Sequence, residues 1–303
     1  MSKKPKVGMW SGLTAVTAVL TAGAIVGTTV AFHYTTTVNN YLDADTYKII
    51  KGDSDEDTEY FKSDFTSDEE RESYEAELCA QVEAEGAALL KNDNNALPLA
   101  SGAKVSLFGH GSVDLMYGGT GSGSVDTSKA PNFKQALEDQ GIQVNSTLWD
   151  LYSSDDMMKN YSRITPAAIS DTLEANTQYA VNEAPWSKLS SAESSFADYG
   201  DAAIVVFSRS GGEGADLPSG ENGTNDSWIK GQEGDGNYLA LSAEEKELLQ
   251  NLKTLKDNGT FKKIIVLINS SNAIEMDFLN PEICGEDYGI DSAMWIGDVG
   301  QTG

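Results

Sequence analysis

Apolar and polar positions divide the chain into two unlike parts. Residues 9–32 carry no charged side chain and are rich in Ala, Val, Leu, Thr and Gly. As a helix, that length crosses a bilayer core of ~30 Å. Lys3, Lys4 and Lys6 precede it, and no Lys or Arg follows until Lys48. This asymmetry predicts a basic cytoplasmic tip over 1–7, a transmembrane anchor or signal segment over 8–34, and the rest of the chain outside the cell. The stretch is long for a signal-peptide core of roughly 7–15 residues, and no clear A-x-A site follows, which favours an uncleaved anchor. Residues 35–65 form an acidic spacer around Asp53, Asp55, Glu56 and Asp57, a solvated run rather than a ligand site. Ser67 with Glu70 fits a capping box, predicting a helix to about Leu90 with Tyr74, Leu78 and Val82 on one face.

From Lys104 onward, short apolar runs alternate with helical periodicity. Strands are predicted at 105–108, 142–144, 202–207, 263–268 and 293–296. A helix is expected over 132–140. Another begins at the Ser242–Glu245 capping box and reaches Asp257, with Leu248, Leu249, Leu252 and Leu255 at helical spacing. The alternation predicts an α/β fold, a three-layer αβα sandwich with a mostly parallel sheet, occupying 66–303 behind one N-terminal transmembrane helix. Residues 147–186 are ambiguous. They hold Trp149, Tyr152, Tyr161, Tyr179 and Trp186 beside a helix-like 167–180, and aromatics at that density read as core before sugar platform.

Composition narrows the chemistry. A formal net charge of −26 argues against nucleic acid as a partner, because binding phosphates needs Lys and Arg. A neutral ligand such as a sugar is compatible with such a surface. The two cysteines, Cys79 and Cys284, lie far apart, and with His33 and His110 as the only histidines neither a metal site nor a Ser-His-Asp triad is expected. His110 reads as a local hydrogen-bonding group. No cofactor is expected.

Two glycine-rich loops stand out. The run 204–207 (I-V-V-F) opens into Ser208-Arg209-Ser210-Gly211-Gly212-Glu213-Gly214-Ala215-Asp216. Open α/β sheets place ligands at the carboxyl ends of their strands, so Glu213 among glycines suggests proton transfer. A strand-ending turn with a solvated glutamate is the plain alternative. The second loop, 118–124 (G-G-T-G-S-G-S), lacks the P-loop lysine and does not directly join a strand to a helix, so it is a weak nucleotide signal. It is compatible with a backbone-lined ligand loop.

The segment 85–99, E-G-A-A-L-L-K-N-D-N-N-A-L-P-L, closely resembles a signature of glycoside hydrolase family 3. The order that follows is also similar to the family: a strand at 104–109, the glycine loop at 118–125, S-R-S-G-G-E-G-A-D-L-P, and late strands ending in W-I-G-D-V-G-Q-T-G. The resemblance covers about 76–303. It implies a domain of a retaining, exo-acting β-glycosidase of β-glucosidase type, acting on β-linked oligosaccharides or glycosides. It implies Glu213 as acid/base; Arg209 and Asp216 could orient it or contact sugar hydroxyls, and Gly212, without a side chain, lets substrate approach closely. Arg209 and Asp216 could equally hold the loop by a salt bridge. The family's nucleophile, an Asp, lies on a TIM-like barrel that is not found in this chain. The expectation is therefore an inverted domain order with the barrel missing, a sandwich truncated at its end, and a fragment inactive by itself. A membrane-anchored, non-catalytic sugar-binding or scaffold domain is the alternative function.

Overall fold

The computed structural model describes residues 7–42, 61–165, 179–213, 217, 237–301 and 303. Contacts divide the chain into two units, Met1–Asp64 and Phe65–Gly303.

In the first unit, helix α1 spans Val7–His33 and α2 spans Thr35–Tyr41. Trp10–His33 is long and apolar enough to cross a membrane. Thr14, Thr17 and Thr29 return their hydroxyls to carbonyls one turn earlier, at 2.9, 2.9 and 2.8 Å. Such bonds within the helix leave these polar groups satisfied without water.

The second unit is an α/β domain. Helix α3 (Asp68–Gly86) starts at Ser67, whose hydroxyl accepts the Glu70 N–H. It ends at Gly86, short of the expected Leu90, because residues Ala88–Asn92 form strand β1. Tyr74, Leu78 and Val82 share a face of α3, but all three are exposed.

The remaining strands are β2 (Lys104–Phe108), β3 (Gln143–Val144), β4 (Ala202–Ser208), β5 (Ile264–Asn269) and β6 (Ser292–Trp295). They assemble in the order β1-β6-β5-β4-β2-β3. All neighbouring pairs are parallel except β1–β6, which is antiparallel with a bulge between Leu89 and Lys91. The mostly parallel sheet is thus as expected, with one antiparallel edge strand added.

Both faces of the sheet are covered. One carries the larger core, where Phe108, Val205, Phe207, Val266 and Ile268 meet Leu248, Leu249 and Leu252 of α7 (Ala243–Asp257) and the segment around Phe196. The other face packs Val105, Leu107, Ile204 and Ile265 against Phe133 and Leu137 of α4 (Phe133–Asp139), with Leu97 and Leu99 beside them. Helices α5 (Ser146–Tyr152) and α6 (Asp155–Asn160) bring Leu148, Tyr152 and Met157 into the first core. Every residue from Ala202 to Phe207 is buried. At about 1.5–3 kcal/mol for each large apolar side chain removed from water, Ile204, Val205, Val206 and Phe207 make β4 a large contributor to the core.

The ambiguous aromatics resolve by position. Tyr152 and Tyr179 are buried, Tyr161 and Trp186 pack on the first core, and Trp149 packs on the second. The helix-like 167–180 falls almost wholly outside the described residues; Ala180 pairs with Ile164 as an antiparallel bridge. Cys79 and Cys284 are both free thiols.

Candidate functional site

The site grows from the carboxyl end of β4. Where the strand stops, Arg209 turns inward and is fully buried. Its Nε donates to the Tyr238 carbonyl at 2.7 Å. Nη1 donates to the Ser208 carbonyl at 3.0 Å and Glu245 Oε1 at 2.8 Å, and Nη2 to the Ala240 carbonyl at 2.6 Å and Glu245 Oε2 at 2.7 Å. A guanidinium has five N–H donors, and these contacts use all of them. Burial works against the guanidinium charge, but Glu245 outweighs it and holds the pKa above the ordinary value. Glu245 in turn closes the capping box of α7 with Ser242. The geometry corrects the sugar-contact expectation for Arg209: it has no donor left for a hydroxyl, and its work is to tie the loop to the start of α7.

Ser210 is held next. Its N–H donates to the Tyr238 hydroxyl at 2.8 Å, which donates back to the Ser210 carbonyl at 2.9 Å. Burial pushes the Tyr238 phenol up to about 12, with Arg209 opposing. The chain then passes through two closely approached positions, of which Gly212 is closed to a side chain by backbone. A Cβ on Gly211 would fall 2.3 Å from Asn272 Nδ2. Gly212 has a φ of +151°, and a Cβ there would fall 2.5 Å from the Thr120 nitrogen. These close approaches join the two glycine loops: Thr120 N–H donates to the Gly211 carbonyl at 3.4 Å, and Thr120 pairs with Gly212 as a parallel bridge.

Glu213 emerges from this seam into solvent. The Thr120 hydroxyl donates to its carbonyl at 3.0 Å. Its carboxylate accepts from the Ser122 hydroxyl and then the Ser122 amide, and these bonds hold its pKa below the ordinary glutamate value. The acid expected from the resemblance needs a raised pKa. Among the described residues, neither of the causes that raise one, burial or a neighbouring carboxylate, acts strongly on Glu213. Asp216 lies outside the described residues.

Beside the seam is a pocket of about 390 Å³, lined among others by Gly118, Thr120, Gly121, Arg163 and Ser210. That volume lies within the range of small-molecule sites, roughly 300–1,000 Å³. The Ser210 hydroxyl is buried without a hydrogen-bond partner among the described residues.

A second cluster lies underneath, and only His110 within it was singled out from sequence. The His110 N–H donates to Glu183 at 2.7 Å, and its Nε2 lies 3.0 Å from Asp114. Arg163 reaches the same Asp114 carboxylate at 2.9 Å and also its carbonyl. Burial works to raise the Asp114 pKa, but the bonds from His110 and Arg163 outweigh it and leave it lowered. For Glu183 burial wins, and its carboxyl is pushed up to about 7. The reading of His110 as a local hydrogen-bonding group agrees with this arrangement. Arg163 and Glu183 carry no spacing or motif that marks them. Asn269, the last residue of β5, was another hidden member. Its side chain accepts from Met116 N–H at 2.5 Å and donates to the carbonyls of Met116 and Gly297 at 3.0 and 2.7 Å, pinning the root of the glycine loop to the sheet.

The α/β sandwich holds this carboxylate between two glycine loops at the carboxyl edge of its parallel strands, the edge where open sheets place ligands. The chain belongs to glycosyl hydrolase family 3: residues 87–302 match that family's C-terminal domain. It is 29% identical over 230 residues to a β-glucosidase of Ruminococcus albus, covering 75% of this chain and 20% of that protein. It is 31% identical over 216 residues to β-glucosidase A of Butyrivibrio fibrisolvens, covering 66% and 23%. Among solved structures it resembles a β-glucosidase from Paenibacillus barengoltzii, with a TM-score of 0.54 and 25% identity over 75% of this chain and 22% of that one. The fold is shared with β-glucosidase 3B from Thermotoga neapolitana in complex with glucose, with a TM-score of 0.53 and 23% identity over 77% and 28%. The chain thus spans only a fifth to a quarter of the curated relatives it matches.

Proposed function

We propose that this chain is the acid/base-bearing domain of a retaining, exo-acting β-glycosidase of β-glucosidase type, with Glu213 as the acid/base. The observation that carries the reading is the seam of the two glycine loops, which delivers an exposed carboxylate beside a pocket at the carboxyl end of the parallel sheet. Retaining hydrolysis uses two carboxyl groups ~5–5.5 Å apart. The Glu213 carboxyl would protonate the leaving oxygen while an Asp carboxylate of the family's barrel attacks the anomeric carbon. Glu213, now ionised, would then take a proton from the water that hydrolyses the glycosyl ester. Docking of the barrel would supply both the burial and the second carboxylate that raise the acid's pKa. The chain is inactive without it. Gly212 permits the seam, and Asp216 is the remaining candidate for contact with sugar hydroxyls. Helix α1 serves as a single-pass membrane anchor that keeps the domain on the outer face.

The test is a chimera in which residues 65–303 replace the matching domain of the Ruminococcus albus enzyme. It should cleave aryl β-glucosides, and E213Q should slow it by about 10²–10⁴, the usual worth of general acid–base catalysis. Undiminished cleavage by E213Q would remove Glu213 from that role.

A second reading, a non-catalytic sugar-binding domain, is favoured by the pocket with its unpartnered Ser210 hydroxyl. Calorimetric titration of the chain with glucose or cello-oligosaccharides separates the two, since tight binding without a barrel supports a binding module.

A further inference from the structure

Both hydrogen bonds to the Glu213 carboxylate fall on the same oxygen. Oε2 accepts from the Ser122 amide at 2.8 Å and from the Ser122 hydroxyl at 2.5 Å. Among the described residues Oε1 accepts none. Gly121 makes the approach possible: its φ is +70°, and a Cβ there would fall 2.7 Å from the Glu213 Cβ and 2.8 Å from Oε2. The 121–123 turn then aims the next residue's N–H and O–H at one point. On the opposite side, Thr120 and Gly212 fix the Glu213 backbone. The carboxylate is therefore exposed yet held, and Ser122 is what acts on it. No ionised side chain among the described residues shifts its titration.

We infer that Ser122 is a positioning residue for Glu213, keeping Oε2 as a fixed acceptor and leaving Oε1 as the oxygen that gives up and takes back the proton. This rests on the reading of Glu213 as the acid/base. A proton on Oε2 would face two donor hydrogens, so the acid form carries its proton on Oε1. In the first step that proton goes to the leaving oxygen as its bond to the anomeric carbon breaks, and the electron pair left on the carboxyl is already met by both Ser122 donors. In the second step Oε1 removes a proton from the attacking water while Oε2 keeps its partners. Hydrogen bonds to the charged form favour that form, so Ser122 helps proton release in the first step and makes the carboxylate a weaker base for the second.

The experiment is a carboxyl-carbon NMR titration of the full 303-residue chain in detergent solution, with ¹³C-labelled glutamate and the Glu213 resonance assigned by its loss in E213Q. Wild type should titrate below ordinary glutamates. The midpoint should rise in S122A, stay near wild type in S122T, and fall between them in S122C, whose thiol is a weaker donor. An unchanged midpoint in S122A overturns the proposal. So does S122T behaving like S122A, which would show that loop shape, not the hydroxyl, sets the titration. No hydrolysis is measured, so a failed ordering refutes Ser122 and leaves the Glu213 assignment to the chimera. A fully active E213Q chimera, conversely, leaves the titration order standing.

Discussion

Arg209 and Glu213 stand four residues apart on one glycine-rich segment and occupy opposite environments. The arginine is buried with every N–H engaged and a carboxylate opposite, whereas the glutamate is in water with two neutral donors on one oxygen. Charge buried without a partner is costly, so Arg209 can serve only as an anchor whose loss unravels what it holds. Charge in water is cheap to keep or remove, which leaves Glu213 free to exchange a proton. The anchor makes the tip's position reproducible, and the glycines between them turn the chain from core to solvent within a few residues.

This contrast can be broken at either end. The largest effect is expected at the base: R209M leaves Glu245 buried and unpaired, and urea unfolding should show a loss of about 3–5 kcal/mol. A near-neutral result would mean the pair is not buried as described.

Next is the Glu183 carboxyl beneath the loop. Its value in the fold, about 7, lies above the ordinary 4.5. Its stabilising contribution is therefore complete below about pH 4.5 and is lost as pH rises through 7. At about 1.4 kcal/mol per pH unit, E183Q should gain up to about 3 kcal/mol over wild type across that window, read from urea midpoints at a series of pH values. Parallel pH curves for the two proteins would contradict a buried, neutral Glu183.

In the seam, G212A must strain a φ of +151° and push Thr120 away. The expected loss is about 1–3 kcal/mol, accompanied by release of Glu213 from Ser122 in the carboxyl titration. At the tip, E213Q should leave the urea midpoint where it was while slowing turnover in the chimera by about 10²–10⁴. A large stability loss there would place Glu213 on the structural side of the comparison.

Much of the scaffold was legible in the residues. The run Ala202–Phe207 could only be a buried strand, Ser242 and Glu245 announced the start of α7, and the glycines after Phe207 marked a loop of unusual backbone. Resemblance in the order of motifs supplied the family and pointed to Glu213. Strand β1 was missed because its exposed Leu89 and Leu90 have no alternation to betray it, and its place depends on β6, some two hundred residues away. The roles of Arg163, Glu183, Asn269 and Ser122 were equally hidden, since each depends on a partner that spacing along the chain does not announce.

By itself, the sequence determined the alternation of strands and helices, the apolar N-terminal helix, and a glutamate set among glycines at a strand's end. These follow from periodicity, capping and backbone sterics, which act over a few residues. Tertiary structure decided which charge is buried and which is free, that the two glycine loops close on each other, and that Ser122 meets Glu213. Those outcomes rest on contacts between residues up to 93 positions apart, and burial and hydrogen bonding take their values only when the distant segment has arrived.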